Sequence, residues 1–157
     1  MSEHGWSHRI SAGILVAHEG RVLVVNHRRA GHYDFWVAPG GGVQATETLE
    51  QAAAREALEE TGLQVEVGPL RYVEEFYQPG VRYCKFWFLG RWVGGQLSAL
   101  APEAQAEHIV DARWMTPEDL ASASCFPPFL CDAEWRADTA WTDGRIHRLG
   151  LRAMEMW

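Results

Sequence analysis

Between Pro39 and Leu63 the chain reads PGGGVQATETLEQAAAREALEETGL, and this stretch restricts the fold more than any other. Three glycines, Gly40 to Gly42, follow Pro39. Consecutive glycines open backbone conformations closed to other residues, so a tight loop is expected here. An alanine-rich segment of good helix formers follows, without internal Gly or Pro until Gly62, which is placed as a C-terminal stop. In such a helix Glu56, Glu59 and Glu60 stand at i, i+3 and i+4 and share one face. Leu49, Ala52 and Ala53 project on the same side, so the carboxylates continue an apolar, inward-facing stripe rather than a solvated one. Like charges at i, i+4 repel by about 0.2–0.5 kcal/mol each, and more when partly buried. A hard divalent cation relieves that repulsion, because carboxylate and backbone carbonyl oxygens are the ligands that Mg²⁺ or Mn²⁺ prefers.

The remaining chain is consistent with one domain built around this helix. A length of 157 residues suffices for a sizeable core, so a single domain spanning 1–157 is expected. The formal charge of −7 argues against general affinity for a nucleic acid polymer, though not against a nucleotide bound through metal. Cys84, Cys125 and Cys131 lack metal-site spacing and are read as free thiols in a reducing compartment. The start, MSEHGWSHRI, lacks a signal-peptide pattern, and no apolar run reaches the ~18 residues of a membrane span. A cytoplasmic protein with no membrane partner is expected.

Residues 10–17 read as a buried strand, His18-Glu19-Gly20 as a turn, and 21–26 as the returning strand of a hairpin. Residues 27–34 read as a loop, with Arg28 and Arg29 placed for a phosphate or left as solvated surface charges. A strand begins at Gln64, is interrupted at Pro69 and continues over 70–77 to the turn Gln78-Pro79-Gly80. Residues 81–92 form a long aromatic strand, and 93–97 a further turn. Glu103 and Glu107 lie in an alanine-rich stretch before a strand over 108–115, and Thr116-Pro117 opens another helix. Beyond about residue 125, a short helix after Pro128, together with four of the eight tryptophans from Trp114 onward, suggests a tail that packs onto the body or onto a partner, a second copy of the chain included. Pattern alone gives an α+β protein with at least five strands and two helices.

The central stretch resembles the Nudix box, G-x5-E-x7-R-E-U-x-E-E-x-G-U, where U is a bulky aliphatic residue. Gly41, Glu47, Arg55, Glu56, Glu59, Glu60, Gly62 and Leu63 match in register, while Ala57 is small where the pattern has bulk. ARWMTPEDL is also similar to a segment toward the C-terminal end of Nudix domains. The resemblance implies an α/β/α sandwich with a mixed sheet and a metal-dependent hydrolase of nucleoside diphosphates linked to another moiety, ADP-ribose-like substrates included. It implies Glu56, Glu59, Glu60 and a carbonyl near Gly40 or Gly41 as metal ligands, with Glu47 and Arg55 orienting helix and carboxylates. Gly41 and Gly62 then shape the ends of the box. The general base is a box glutamate such as Glu59 or a carboxylate on a later loop, Glu107 first and Glu103 second. Ring-stacking candidates are Tyr33, Phe35, Phe76, Tyr77 and Tyr83. Two other readings stay open: a nucleotide-binding regulatory module without turnover, and an isoprenyl diphosphate isomerase, although the surroundings of Cys84 do not resemble that site.

Overall fold

A computed structural model describes residues 5–154; the first four residues of the leading segment and the last three of the tail lie outside that range. Strands β1 (Ser7–His18) and β2 (Arg21–Arg29) form the expected hairpin, β3 (Tyr33–Val37) returns along β2, and β4 (Gly40–Gly42) pairs with β1. Helix α1 (Leu49–Thr61) follows, then β5 (Leu63–Gln78) and β6 (Val81–Gly95) as a long antiparallel pair. The second half holds α2 (Pro102–Ala106), β7 (Ile109–Met115), α3 (Pro117–Ala121), β8 (Cys125–Phe126), α4 (Ala133–Arg136), a 3₁₀ turn (Asp138–Trp141), β9 (His147–Arg148) and β10 (Arg152–Ala153).

The strands run β10-β5-β6-β1-β2-β3-β8 in one curled mixed sheet, with β1 and β6 parallel over ten register pairs. A strand covered on both faces reads as a continuous apolar run, which is why residues 10–17 show no alternation. Side chains still alternate in space. Ile14, Val16 and Leu23 pack with Ala52, Ala53 and Ala57 of α1, whereas Leu15, Val22 and Val24 face a second core containing Leu120, Phe129, Leu130 and Trp135. The sheet is thus the middle layer of an α+β sandwich, and much of its second outer layer comes from residues beyond 125.

Helix α1 begins at a capping box. Thr48 accepts from the Gln51 backbone N–H, and the Gln51 side chain accepts from Thr48 N–H. It ends at Gly62, whose φ of 74° is left-handed.

Three local expectations are corrected. The expected loop over 27–34 is largely strand: β2 continues to Arg29 and β3 starts at Tyr33, because Asp34 bonds both Asn26 and Arg28 across the hairpin. The tight loop at Gly40 to Gly42 is the short strand β4, and none of the three glycines has a positive φ. Their missing side chains serve close approach instead: a Cβ on Gly40 would stand 2.7 Å from the Gly13 Cα. Pro69 does not end its strand but sits where the β5–β6 register shifts between Val67 and Leu70, a bulge that tolerates the lost N–H.

The tail is tied down by a buried cation. Arg71, fully buried on β5, donates to Asp143 at 2.6 Å, to the Arg145 carbonyl at 3.3 Å and to Glu134 at 2.9 Å. Beyond it, β9 and β10 add to the outer edge of β5. The three cysteines are free. Among the described residues no helix is long and apolar enough to cross a membrane.

Candidate active site

Glu56 and Glu60, one turn apart on α1, are both buried beneath β4. Gly41 lies directly over Glu56: a Cβ there would come within 2.5 Å of Oε1 and 2.7 Å of Cδ. The Gly40 N–H donates to Glu60 Oε2 at 3.4 Å, while Glu60 Oε1 is buried with no hydrogen-bond partner among the described residues. Glu107, at the end of α2, reaches the same point from another direction. One carboxylate oxygen from each of Glu56, Glu60 and Glu107 can be chosen so that all lie within 4.8 Å of one another.

The electrostatics match this crowding. Burial, then the Glu56 and Glu107 carboxylates, push the Glu60 carboxyl well above the usual range. Burial and the charges of Glu56 and Glu59 also push Glu107 up. Buried carboxylates cost free energy unless a cation or donor faces them. An orphaned acceptor inside a trio of hard oxygen donors fits a divalent cation of the Mg²⁺ or Mn²⁺ type.

Arg55 organises the outer side of the cluster. Its guanidinium donates to Glu47 at 2.7 and 3.0 Å, to Glu56 at 2.9 Å, to Glu59 at 3.1 Å and to the Gly42 carbonyl at 3.0 Å. The hydrogen bonds from Arg55 hold the Glu47 carboxyl below its ordinary range. Glu59 faces Arg55, and the third carboxylate beside Glu56 and Glu60 is that of Glu107. The glycine segment meets the acids through an N–H and a bare Cα. Glu103 lies outside the trio, in the first turn of α2.

Beside the cluster opens a cleft of about 730 Å³ that includes Gly40 and Lys85 in its lining. Its floor is the β5–β6 face, where period-two alternation sets Tyr72, Glu74 and Phe76 opposite Trp87, Lys85 and Tyr83. Phe35 and Phe76 line the cleft, with Trp87, Phe126, His27 and Arg152. Lys85 is half-buried between cleft and cluster, its ammonium 4.4 Å from the Trp87 ring centroid, and desolvation lowers its pKa. His27 stacks on Phe35 at 5.2 Å, and burial brings its pKa to about 4.

The structure does not bring Arg28, Arg29 or Tyr77 into this lining. Arg28 is exposed and pairs with Asp34 on the hairpin, and Arg29 follows it at the exposed tip. Tyr77 points to the opposite side of β5, against Trp6. Tyr33 packs on Phe35 and Tyr83 stacks on Phe76, both behind the rings that line the cleft. Lys85, Glu74 and Arg152 were missed by sequence reasoning. For the first two a signal existed, namely a charged residue in the middle of an aromatic strand on the face that alternation turns inward.

The family model of the NUDIX domain matches residues 7–132. The chain belongs to the NUDIX family. It is 34% identical over 119 residues to a MutT-like protein of Streptomyces ambofaciens, covering 73% of this chain and 68% of that protein. It is 30% identical over 116 residues to phosphatase NudJ of Escherichia coli K12, covering 73% and 72%. A Nudix hydrolase structure from Nitrosomonas europaea superposes with a TM-score of 0.70 at 20% identity, over 83% of this chain and 89% of that one. The fold is accordingly of the Nudix type, and the protein is a Nudix-type pyrophosphohydrolase. Nudix hydrolases generally use a divalent metal and act on small nucleotide substrates. Where the Nudix box has a bulky aliphatic residue, Ala57 is fully buried among Ile14, Leu23 and Phe88, so the small side chain lets α1 sit close to the sheet.

Proposed function

We propose that the protein hydrolyses the diphosphate linkage of a nucleoside diphosphate joined to another moiety, with Mg²⁺ or Mn²⁺ held by Glu56, Glu60 and Glu107. The observation that carries this reading is the convergence of those three carboxylates around the orphaned Oε1 of Glu60. When bound, such an ion neutralises phosphoryl charge and acidifies a water for attack. Glu56 and Glu60 are buried and fixed by Arg55 and Gly40. Glu107 is the exposed member of the trio, open to water, and is the residue to accept the proton of the attacking water. Arg55 keeps Glu56 and Glu59 in place and neutralises Glu47 without entering the cleft. Lys85 stands between the acids and the aromatic cleft, so its ammonium meets the phosphate on the nucleoside side. The cleft then takes the ring.

The test is a screen of nucleoside diphosphate derivatives with Mg²⁺ and with Mn²⁺, products read by mass, repeated with Glu60→Gln. Turnover should fall at least about 10²-fold in the variant, the scale for removing charge stabilisation at a phosphoryl group. A folded Glu60→Gln protein at near wild-type rate removes that residue from the site. Absence of turnover by the wild type on every derivative removes the reading itself.

A further inference from the structure

Glu74 is only 3% exposed, yet it lines the cleft. It stands on β5 next to Lys85 across the strand pair, and its Oε1 accepts from Arg152 Nη2 of β10 at 3.2 Å. Arg152 lies outside residues 7–132, the part matched to the NUDIX domain. Attachment of the tail to β5 does not require this pair, since after β9 the Leu149 N–H already donates to the Val73 carbonyl at 2.9 Å and after β10 the Met154 N–H to the Tyr77 carbonyl at 2.7 Å. A buried carboxylate costs free energy wherever its acceptor positions go unmatched. A carboxylate has about four such positions; Arg152 occupies one, and Lys85 opposite is a second cation in its field. The rings of Phe76, Trp87 and Phe126 line the same cavity, apolar walls of the kind a flat heterocycle packs against.

We propose that Glu74, oriented by Arg152, is the specificity-determining residue of the cleft, and that it selects heterocycles with an exocyclic amino group. This deepens the reading above and rests on it for the placement of the ring. An exocyclic amino group projects beyond its ring and delivers an N–H to a carboxylate oxygen, while the acceptor nitrogen beside it is set back in the ring. The imide N–H of uracil or the lactam N–H of hypoxanthine is flanked by a carbonyl, and approach to Glu74 sets that oxygen against the second carboxylate oxygen. Adenine- and cytosine-type rings are therefore accepted, and their oxo counterparts are rejected.

The experiment is isothermal calorimetry on the metal-free full chain, with adenosine against inosine 5′-diphosphate and cytidine against uridine 5′-diphosphate. The amino member of each pair is expected to bind about tenfold tighter or more, the worth of a hydrogen bond to a charged acceptor. In Glu74→Gln the discrimination within each pair is expected to drop below about threefold, because the amide brings its own donors and loses the charge. Arg152→Gln, which frees the carboxylate to turn, is expected to reduce it as well and serves where Glu74→Gln fails to fold. Equal or tighter binding of the oxo compounds by the wild-type protein overturns the proposal whatever the variants do. Hydrolysis of a nucleoside diphosphate derivative without amino discrimination defeats this inference alone, whereas discrimination without any hydrolysis defeats the catalytic reading and leaves the ring-binding cleft.

Discussion

Replacing Gly41 with Ala isolates one contact at the heart of the site. The backbone there has no left-handed φ, so alanine meets no conformational obstacle. The obstacle is Glu56: the new Cβ would stand 2.5 Å from Oε1, 2.7 Å from Cδ and 3.0 Å from Oε2. Ordinary carbon contacts lie near 3.5–4.0 Å, so the carboxylate must retreat by about an ångström. It has nowhere to go, being 4% exposed and held by Arg55 at 2.9 Å. Overpacking of this kind costs about 1–3 kcal/mol, and a displacement of that size at a reacting centre can cost about 10²-fold in rate. At about 2–4 °C per kcal/mol for a chain of this size, the melting temperature should fall by several degrees. Gly42→Ala is the matched control, because a Cβ there has nothing within 4 Å. The assay is thermal denaturation, kcat and Mn²⁺ affinity for both variants. If Gly41→Ala is as stable, as active and as metal-competent as Gly42→Ala, the close approach of β4 to Glu56 has no functional weight.

Three further outcomes are expected. Glu107→Gln should lower kcat and weaken Mn²⁺ affinity together, since Glu107 shares the trio, whereas Glu59→Gln should disturb metal affinity less; the reverse order in a Mn²⁺ titration would return Glu59 to the metal. Arg71→Met should cost on the order of 3 kcal/mol in urea denaturation by removing the buried guanidinium beneath the tail, and an unchanged midpoint would show that the tail is held by its apolar contacts alone. Because burial holds His27 at about 4 against 6.5 unfolded, the unfolded chain binds more protons between those values, so stability is lost as pH falls through that window. The loss amounts to about 3 kcal/mol at most. His27→Gln should flatten this part of the pH–stability curve, and parallel curves for variant and wild type would exclude His27 as its source.

The helix and its acids were legible because they depend on local rules. The spacing of Glu56 and Glu60 and the stop at Gly62 follow from helix geometry, and both appear as read. The strand cores were legible as apolar runs for the same reason. What escaped depends on contacts distant in sequence. Nothing near Gly41 says that it faces a carboxylate fifteen positions on rather than turning a corner. Arg28 looked available for phosphate because its partner Asp34 is supplied by strand pairing that the polar composition of 27–34 conceals. Glu107 was reached only by its position before a strand, and its proximity to Glu56 and Glu60 is a property of how α2 packs on α1. Arg152 carried no signal at all, since its meaning comes from β10 lying beside β5, and two residues of strand leave too little pattern to read.

The division of labour along the chain has an evolutionary corollary. The acids sit on α1 and the end of α2, under the rigid middle layer, whereas Arg152, Phe126 and Pro127 reach the cleft from a terminal strap held through Arg71. One wall of the cleft is therefore inherited on a stretch of polypeptide separate from the acids, while its floor, Glu74 included, lies on β5 and β6. Change after residue 125 can reshape that wall of the cleft while the acid cluster on α1 and α2 is left intact. A library randomised at 147–153, with Arg71 and its two acidic partners kept, is the natural starting point for redirecting the enzyme to new substrates.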